Sequence, residues 1–273
     1  MNYRLCDAHN HLQDDRLAPH LPAVLAALRR EGVAWMVVNG SCEGDWPQVL
    51  ALARECPQVI PCFGCHPWYV RERSADWQPA LLRHLEAIPS AIGEAGLDRW
   101  IKEPDFELQE QVFVWQLRLA AERNLPVSIH CLQAWGRLLE ILRAEPRPSR
   151  GLLLHSFGGP REMIAPLAEL GAYFSLPGYF AHARKARQRD GFKHVPPDRL
   201  LIETDAPDQL LPDGLNRHPL TDAQTGKPLN HPANLGAVYE FAAGLFGEPV
   251  EQLAQRVEAN FRRLFGPLIG QPA

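Results

Sequence analysis

Asp7-Ala8-His9-Asn10-His11 places two imidazoles at i and i+2, at the end of a short run that enters a strand. In an extended strand these side chains share one face, together with Asp7. Two neutral imidazoles on one face begin a divalent-metal site but do not complete it. Alone, the pair is more simply read as a solvated polar strand end. The rest of a ligand set recurs later in the chain, each time after apolar strand residues. Glu94 ends the run Ala91-Ile92-Gly93, His130 ends Val127-Ser128-Ile129, His155 ends Leu152-Leu153-Leu154, and Asp205 ends Leu200 to Thr204. A buried isolated charge at such a place is costly, so each is expected to have a partner. A single one reads equally well as a hydrogen-bonded core residue. All of them at the same point of the pattern read as a set.

Three or four ligands suffice for one zinc ion. Six, with a glutamate able to bridge, suit two ions roughly 3.5–4 Å apart. Mixed imidazole and carboxylate ligation does not choose among zinc, manganese, magnesium and similar ions. Such a pair acidifies bound water and polarises a phosphoryl or carbonyl oxygen. Asp205 is expected to orient that water and accept its proton. Glu94 stands between Gly93 and Gly96, which leaves room for a ligand or metal to approach. Glu203 shares a strand face with Asp205 and is read either as a deeper orienting group or as a capped buried acid.

These residues must be positioned by the elements that carry them. Short, nearly continuous apolar runs suit parallel strands covered on both faces. There are eight: the one ending Asp7-Ala8-His9, Val33–Val38, Val59–Gly64, Ala91–Glu94, Pro126–His130, Leu152–His155, Ala172–Leu176 and Leu200–Asp205. Amphipathic segments lie between them. Asp105 is a predicted N-cap, followed by Leu108, Val112, Trp115 and Leu119 at helical spacing. Leu21 to Arg30 has Pro22 early and Gly32 just after. Ser74 to Ile88 stops before Pro89, and Gly171 closes a helix beginning near Pro160. The alternation predicts a single-domain (β/α)8 TIM-like barrel over residues 1–273, with an open doubly wound sheet as the alternative. In a parallel barrel all C-terminal strand ends meet at one mouth. The long stretch from Ala206 to Asn230, rich in Pro, Asp, Asn and Gly, is expected at that same face.

The chain has 273 residues, 46% hydrophobic and 22% charged, which fits a globular protein rather than a disordered one. A formal net charge of -4 argues against a wholly basic nucleic-acid-binding surface. The one dense basic stretch is Arg184, Lys185, Arg187, Arg189 and Lys193, read as a solvated helix face or as a phosphate-neutralising border of the mouth. Trp68, Tyr69 and Trp100 follow strand ends, where they either pack loops or stack against bases. No signal-like or membrane-spanning apolar run is visible, and the six cysteines are expected as reduced thiols, so a cytoplasmic location is predicted. Cys62 and Cys65 have redox-motif spacing, but strand geometry turns them to opposite faces.

Taken in order, Asp7-Ala8-His9-Asn10-His11-Leu12, Gly64-Cys65-His66-Pro67-Trp68, Gly93-Glu94-Ala95-Gly96-Leu97-Asp98, Pro126 to His130, His155-Ser156-Phe157-Gly158-Gly159 and Leu201 to Pro207 carry a likeness. With Asn260 to Phe265 near the end, the chain resembles the TatD family of metal-dependent hydrolases, within the amidohydrolase-like barrel superfamily. The resemblance implies a barrel with a divalent-metal site, usually binuclear. It would put His9, His11 and Asp205 on one ion, His130 and His155 on the other, and Glu94 between them. Asp205 would be the proton acceptor, and His66 would face a substrate phosphate oxygen.

Characterised relatives are metal-dependent deoxyribonucleases, several acting 3′→5′, so the implied substrate is DNA or a small phosphate ester. No membrane or obligate protein partner is expected, and a monomer suffices. Two positions depart from the family pattern. Cys131-Leu132 follows His130 where many relatives have a polar pair, and Leu229-Asn230-His231-Pro232 stands where many have Arg-Asn-Glu-Pro. An arginine grips phosphate through a planar fork that leucine lacks. The alternative activity is therefore an amidohydrolase or lactonase acting on a small amide or ester with the same metals. A non-catalytic metal-binding scaffold is the third reading, against which the retention of Glu94 and Asp205 argues.

Overall fold

The computed structural model describes residues 3–269. Met1 and Asn2, at the head of the expected first strand, and residues 270–273 of the expected 1–273 domain lie outside the described residues. The eight strands are β1 (Leu5–Asn10), β2 (Val33–Asn39), β3 (Val59–Phe63), β4 (Ala91–Asp98), β5 (Val127–Leu132), β6 (Leu152–Leu154), β7 (Ala172–Pro177) and β8 (Leu200–Glu203). They pair in parallel and in chain order, β1 through β8. A doubly wound sheet reverses its order partway; this one does not, and the chain is a (β/α)8 barrel. The strands are buried almost throughout, as their continuous apolar runs require.

The helices are α1 (Leu21–Arg30), α2 (Trp46–Glu55), α3 (Trp77–Ala87), α4 (Phe106–Arg123), α5 (Trp135–Ala144), α6 (Ile164–Glu169), α7 (Ala186–Phe192), α8 (Leu235–Phe246) and α9 (Val250–Phe265). Asp105 caps α4 as predicted, its Oδ1 accepting from the Leu108 N–H at 3.2 Å. The helix expected from Ser74 starts later, at Trp77. The helix expected from Pro160 becomes a 3-10 turn, Arg161–Met163, before α6. Pro166 lacks an N–H and fits only a first helical turn, so α6 cannot begin much earlier. Helix α9 is tied to the barrel by buried Asn260, whose Nδ2 donates to the carbonyls of Leu200 at 2.8 Å and Pro197 at 2.9 Å.

Two features of the sheet govern the site. First, no regular ladder joins β8 to β1 among the described residues. Asp7 bridges that seam instead: it accepts from the Thr204 N–H at 2.9 Å and the Thr204 hydroxyl at 2.5 Å. Beyond it, the Asp205 N–H donates to the His9 carbonyl at 3.0 Å and the His11 N–H to the Ala206 carbonyl at 2.7 Å. Second, β4 does not stop at Glu94, as the sequence suggested, but runs on to Asp98. Its pairing with β5 shifts register between Ile92 and Ala95. The flanking glycines serve this close strand contact rather than leaving room for a ligand. A Cβ at Gly96 would sit 1.9 Å from the His130 carbonyl oxygen, and one at Gly93 2.7 Å from that of Ser128.

The stretch from Ala206 to Asn230 is ordered into a 3-10 turn and a small antiparallel pair, β9 (Leu220–Thr221) with β10 (Pro228–Leu229). Asn230 pins its end to the barrel by donating to the Thr204 carbonyl at 2.8 Å.

Candidate metal centre

The side chains of His9, His11, Glu94, His130, His155 and Asp205 converge at the C-terminal end of the strands, although they reach it differently. His9 lies within β1 and His130 within β5, while His11, His155 and Asp205 lie just beyond β1, β6 and β8. Asp205 leaves the strand direction with φ 54°, and Ser156 and Gln209 also have positive φ. These three are joined, since Gln209 Nε2 donates to Asp205 Oδ2 at 2.5 Å and to Ser156 Oγ at 2.6 Å. Left-handed backbone at non-glycine residues is costly and gathers at functional sites.

Glu94 stands at the centre, and its two oxygens face different histidines. Oε2 lies 3.3 Å from His9 Nε2 and 3.2 Å from His11 Nε2. Oε1 lies 2.8 Å from His155 Nε2, 3.0 Å from His130 Nδ1 and 3.3 Å from His66 Nε2. Asp205 Oδ1 joins the first set, 3.5 Å from His9 and 3.7 Å from His11. Within each set the histidines also approach one another: His9 and His11 nitrogens are 3.2 Å apart, as are those of His130 and His155.

Such separations have a plain chemical meaning. Two ligands each about 2.1 Å from one ion, at tetrahedral or octahedral angles, lie roughly 3.0–3.5 Å apart. Among the described residues three groups bring ligand atoms close enough together that they could hold an ion: His9-His11-Asp205, His9-Glu94-His155 and His66-Glu94-His130. The far ring nitrogens are oriented from behind, as in metal sites generally. His9 Nδ1 meets Ser128 Oγ at 3.0 Å, His11 Nδ1 the Asn39 carbonyl at 2.8 Å, and His130 Nε2 Asp98 Oδ2 at 3.0 Å. His155 Nδ1 is buried without a hydrogen-bond partner, 3.9 Å from Glu203 Oε1.

The electrostatics draw positive charge. Burial opposes ionisation of Glu94, yet the surrounding imidazoles of His155, His66 and His9 hold its carboxyl well below the usual range. Burial also disfavours protonated His11 and His155, but Glu94 and Asp205 outweigh it and push them up to about 10 and about 9. Burial lowers His9 well below its usual value and His66 to about 4, so both rings are neutral. Burial raises Asp205, against the pull of His155 and His11. Protons on imidazoles thus stand where a cation would neutralise two buried carboxylates. The donor set, its spacing and its charge fit divalent metal.

The remaining predicted residues fall on both sides of the expectation. His66 shares Glu94 Oε1 with His130 and His155, and its Nδ1 accepts from the Trp68 N–H at 3.2 Å. Glu203 is fully buried behind His155, accepting from the Ser156 N–H at 2.7 Å and from the Ser175 hydroxyl. Asp7, expected on the face of His9 and His11, is consumed by the β1–β8 seam. A cleft of about 780 Å³ opens over the cluster, and among the described residues lining it none belongs to the basic stretch. Arg189 instead donates to the carbonyls of Phe180 and His182. Leu229, in the place of the missing arginine, is buried. Cys62 and Cys65 are both free thiols. The orienting roles of Asp98, Ser128 and Gln209 were not read from the sequence. Asp98 ends the Gly93 to Asp98 segment that carries the family likeness, which is the one signal in the sequence that marks it.

Residues 6–266 match the family model described as TatD related DNase. A curated relative from Erwinia tasmaniensis, "3'-5' ssDNA/RNA exonuclease TatD", is 35% identical over 260 residues, covering 93% of this chain and 97% of that protein. The protein of the same description from Escherichia coli strain K12 is 33% identical over 264 residues, with 94% and 96% covered. Among solved structures, that of YJJV, a TatD homolog from Escherichia coli K12, superposes with a TM-score of 0.87 at 29% identity, covering 97% of this chain and 99% of that one.

Proposed function

The chain belongs to the TatD-related DNase family, and from that premise we propose that it is a two-metal nuclease acting on the ends of single-stranded nucleic acid. It is a metal-dependent hydrolase of phosphodiester bonds. The finer reading, with two ions, a single domain over residues 1–273 and a cytoplasmic place of action, is ours. The two-ion part rests above all on Glu94, whose two oxygens face different histidines. On this reading His9, His11 and Asp205 would hold one ion, His130 and His155 the other, and Glu94 would contribute to both.

Bound ions supply Lewis acidity to a phosphoryl oxygen and acidify water. The chain's own residues do the rest. Asp205 accepts the proton of the attacking water through the carboxylate that Gln209 steadies at 2.5 Å. His66, kept neutral by burial, carries its proton on Nε2, because its Nδ1 accepts from the Trp68 N–H; that Nε2–H lies 3.3 Å from Glu94 Oε1 and, with Glu94 engaged by the ions, would turn to a phosphate oxygen. Glu94, held ionised, keeps the two ligand sets together. The test is metal analysis of the purified protein alongside hydrolysis of single-stranded DNA. Two ions per chain and hydrolysis support the reading; an inert metal-loaded protein refutes it.

One observation favours a second reading, hydrolysis of a small amide or lactone. Among the described residues lining the cleft, Arg16 is the single lysine or arginine, and it is held by Asp14 and Asp208. A panel of amides and lactones, tested beside DNA, decides between them.

A further inference from the structure

Trp68 and Trp100 are the large hydrophobic residues left exposed among the described residues, at 49% and 65%, and both line the cleft over the metal cluster. Exposed indoles cost hydration free energy and are unusual at a polar mouth. They are not loosely held. Trp68 Nε1 donates to Asp98 Oδ2 at 2.7 Å, and its ring stands edge-on to His66 with centroids 5.2 Å apart. The Trp100 N–H donates to the other oxygen, Asp98 Oδ1, at 2.6 Å. One carboxylate therefore fixes the Trp68 ring, the backbone that carries Trp100, and, through Oδ2, the ring of His130.

The charge of the same cleft says what these rings are for. Its lining includes Asp14, Asp15, Asp45, Glu94, Asp205 and Asp208. Arg16, the one arginine among the described residues lining it, spends Nε and Nη2 on Asp14, and Nη1 and Nη2 on Asp208, at 2.7–2.9 Å. Among the described residues lining the cleft, a polyanion thus finds no lysine or arginine free to grip its backbone away from the metal cluster. Affinity beyond the cluster then falls to groups that are indifferent to phosphate charge, and every nucleobase has a π-face.

We propose that Trp68 and Trp100 form a nucleobase-stacking subsite, which selects base-bearing single strands at the mouth of the metal site. The inference rests on the nuclease reading above. It excludes duplex interiors, whose bases are already stacked, and it disfavours sugar-phosphate chains without bases.

The experiment uses the full chain with metal, carrying Asp205→Asn to stop turnover. Fluorescence anisotropy compares a 5′-labelled hexathymidylate with an all-abasic hexamer of the same length. The expected result is that the thymidylate binds roughly tenfold or more tightly. Trp100→Ala, at an exposed position, should weaken the thymidylate by roughly five- to a hundredfold and leave the abasic chain unchanged. Trp68→Phe, which keeps a ring, should retain more of the preference than Trp68→Ala. Metal content, measured on each variant, should be unaltered in Trp100→Ala. Equal binding of the two hexamers, or equal weakening of both by Trp100→Ala, overturns the subsite. A wild-type protein that hydrolyses no DNA overturns the nuclease reading and the subsite with it; one that hydrolyses DNA but ignores the missing bases overturns the subsite alone.

Discussion

Asp98 lies 3.0 Å from His130 through the oxygen that also accepts from the Trp68 indole N–H, so one buried carboxylate orients an imidazole of the cluster and an aromatic wall of the cleft. His130 thereby presents Nδ1, rather than Nε2, to Glu94. Removing the carboxylate frees the ring. Asp98→Ala is expected to lower metal affinity or activity by roughly 10–100-fold, as losses behind a metal ligand do. Metal titration and kcat/KM measure this, and a variant with both unchanged would remove Asp98 from the site.

Asp205→Asn keeps the shape of the side chain but takes away its basicity. We expect kcat to fall by about 10²–10⁴-fold, the usual worth of a positioned general base. Without metal, melting temperature and fold should stay close to those of the native protein. Full activity in the amide variant would assign proton transfer elsewhere.

Chelation should abolish hydrolysis, and divalent metal should restore it. Ions that bind only the folded chain also stabilise it, by about 2.7 kcal/mol at one hundred times the dissociation constant. Thermal unfolding with and without metal tests this independently of turnover. Identical melting curves would contradict the reading of buried Glu94 and its partners as a metal cage.

Acid should weaken the fold through His231. Its Nδ1 accepts the Ala233 N–H at 3.0 Å, and burial, with His218, His20 and Arg30 nearby, lowers it to about 4. Between that value and the usual 6.5 the unfolded chain binds a proton that the folded chain refuses. Stability therefore falls as pH drops through this window, by about 1.5 kcal/mol after allowing for solvent screening. His231→Asn keeps a capping acceptor without the titration, so its denaturant midpoint should vary less between pH 6.5 and 4 than that of the native chain.

Neutralising Arg184 and Arg187 to glutamine should leave KM for single-stranded DNA within about twofold, the small effect of surface charges away from a site. Neither lines the cleft. A large rise in KM would return the basic stretch to the substrate path.

Much of this protein was legible in its sequence. Continuous apolar runs at Val33–Val38 and Pro126–His130 mean strands covered on both faces, and Pro22, Asp105 and Gly32 mark helix ends by chemistry local to the chain. The six metal-competent residues were recognisable too, because a buried polar group after an apolar run demands a partner wherever it occurs. Tertiary structure decided the rest. Whether Asp7 joins the cluster or closes the seam with Thr204 depends on a residue 197 positions away. Where β4 stops, and which Glu94 oxygen meets which imidazole, depends on the register shift against β5. Strand periodicity assigns a side chain to a face, but the partner it finds there is set by how neighbouring backbones align across the barrel.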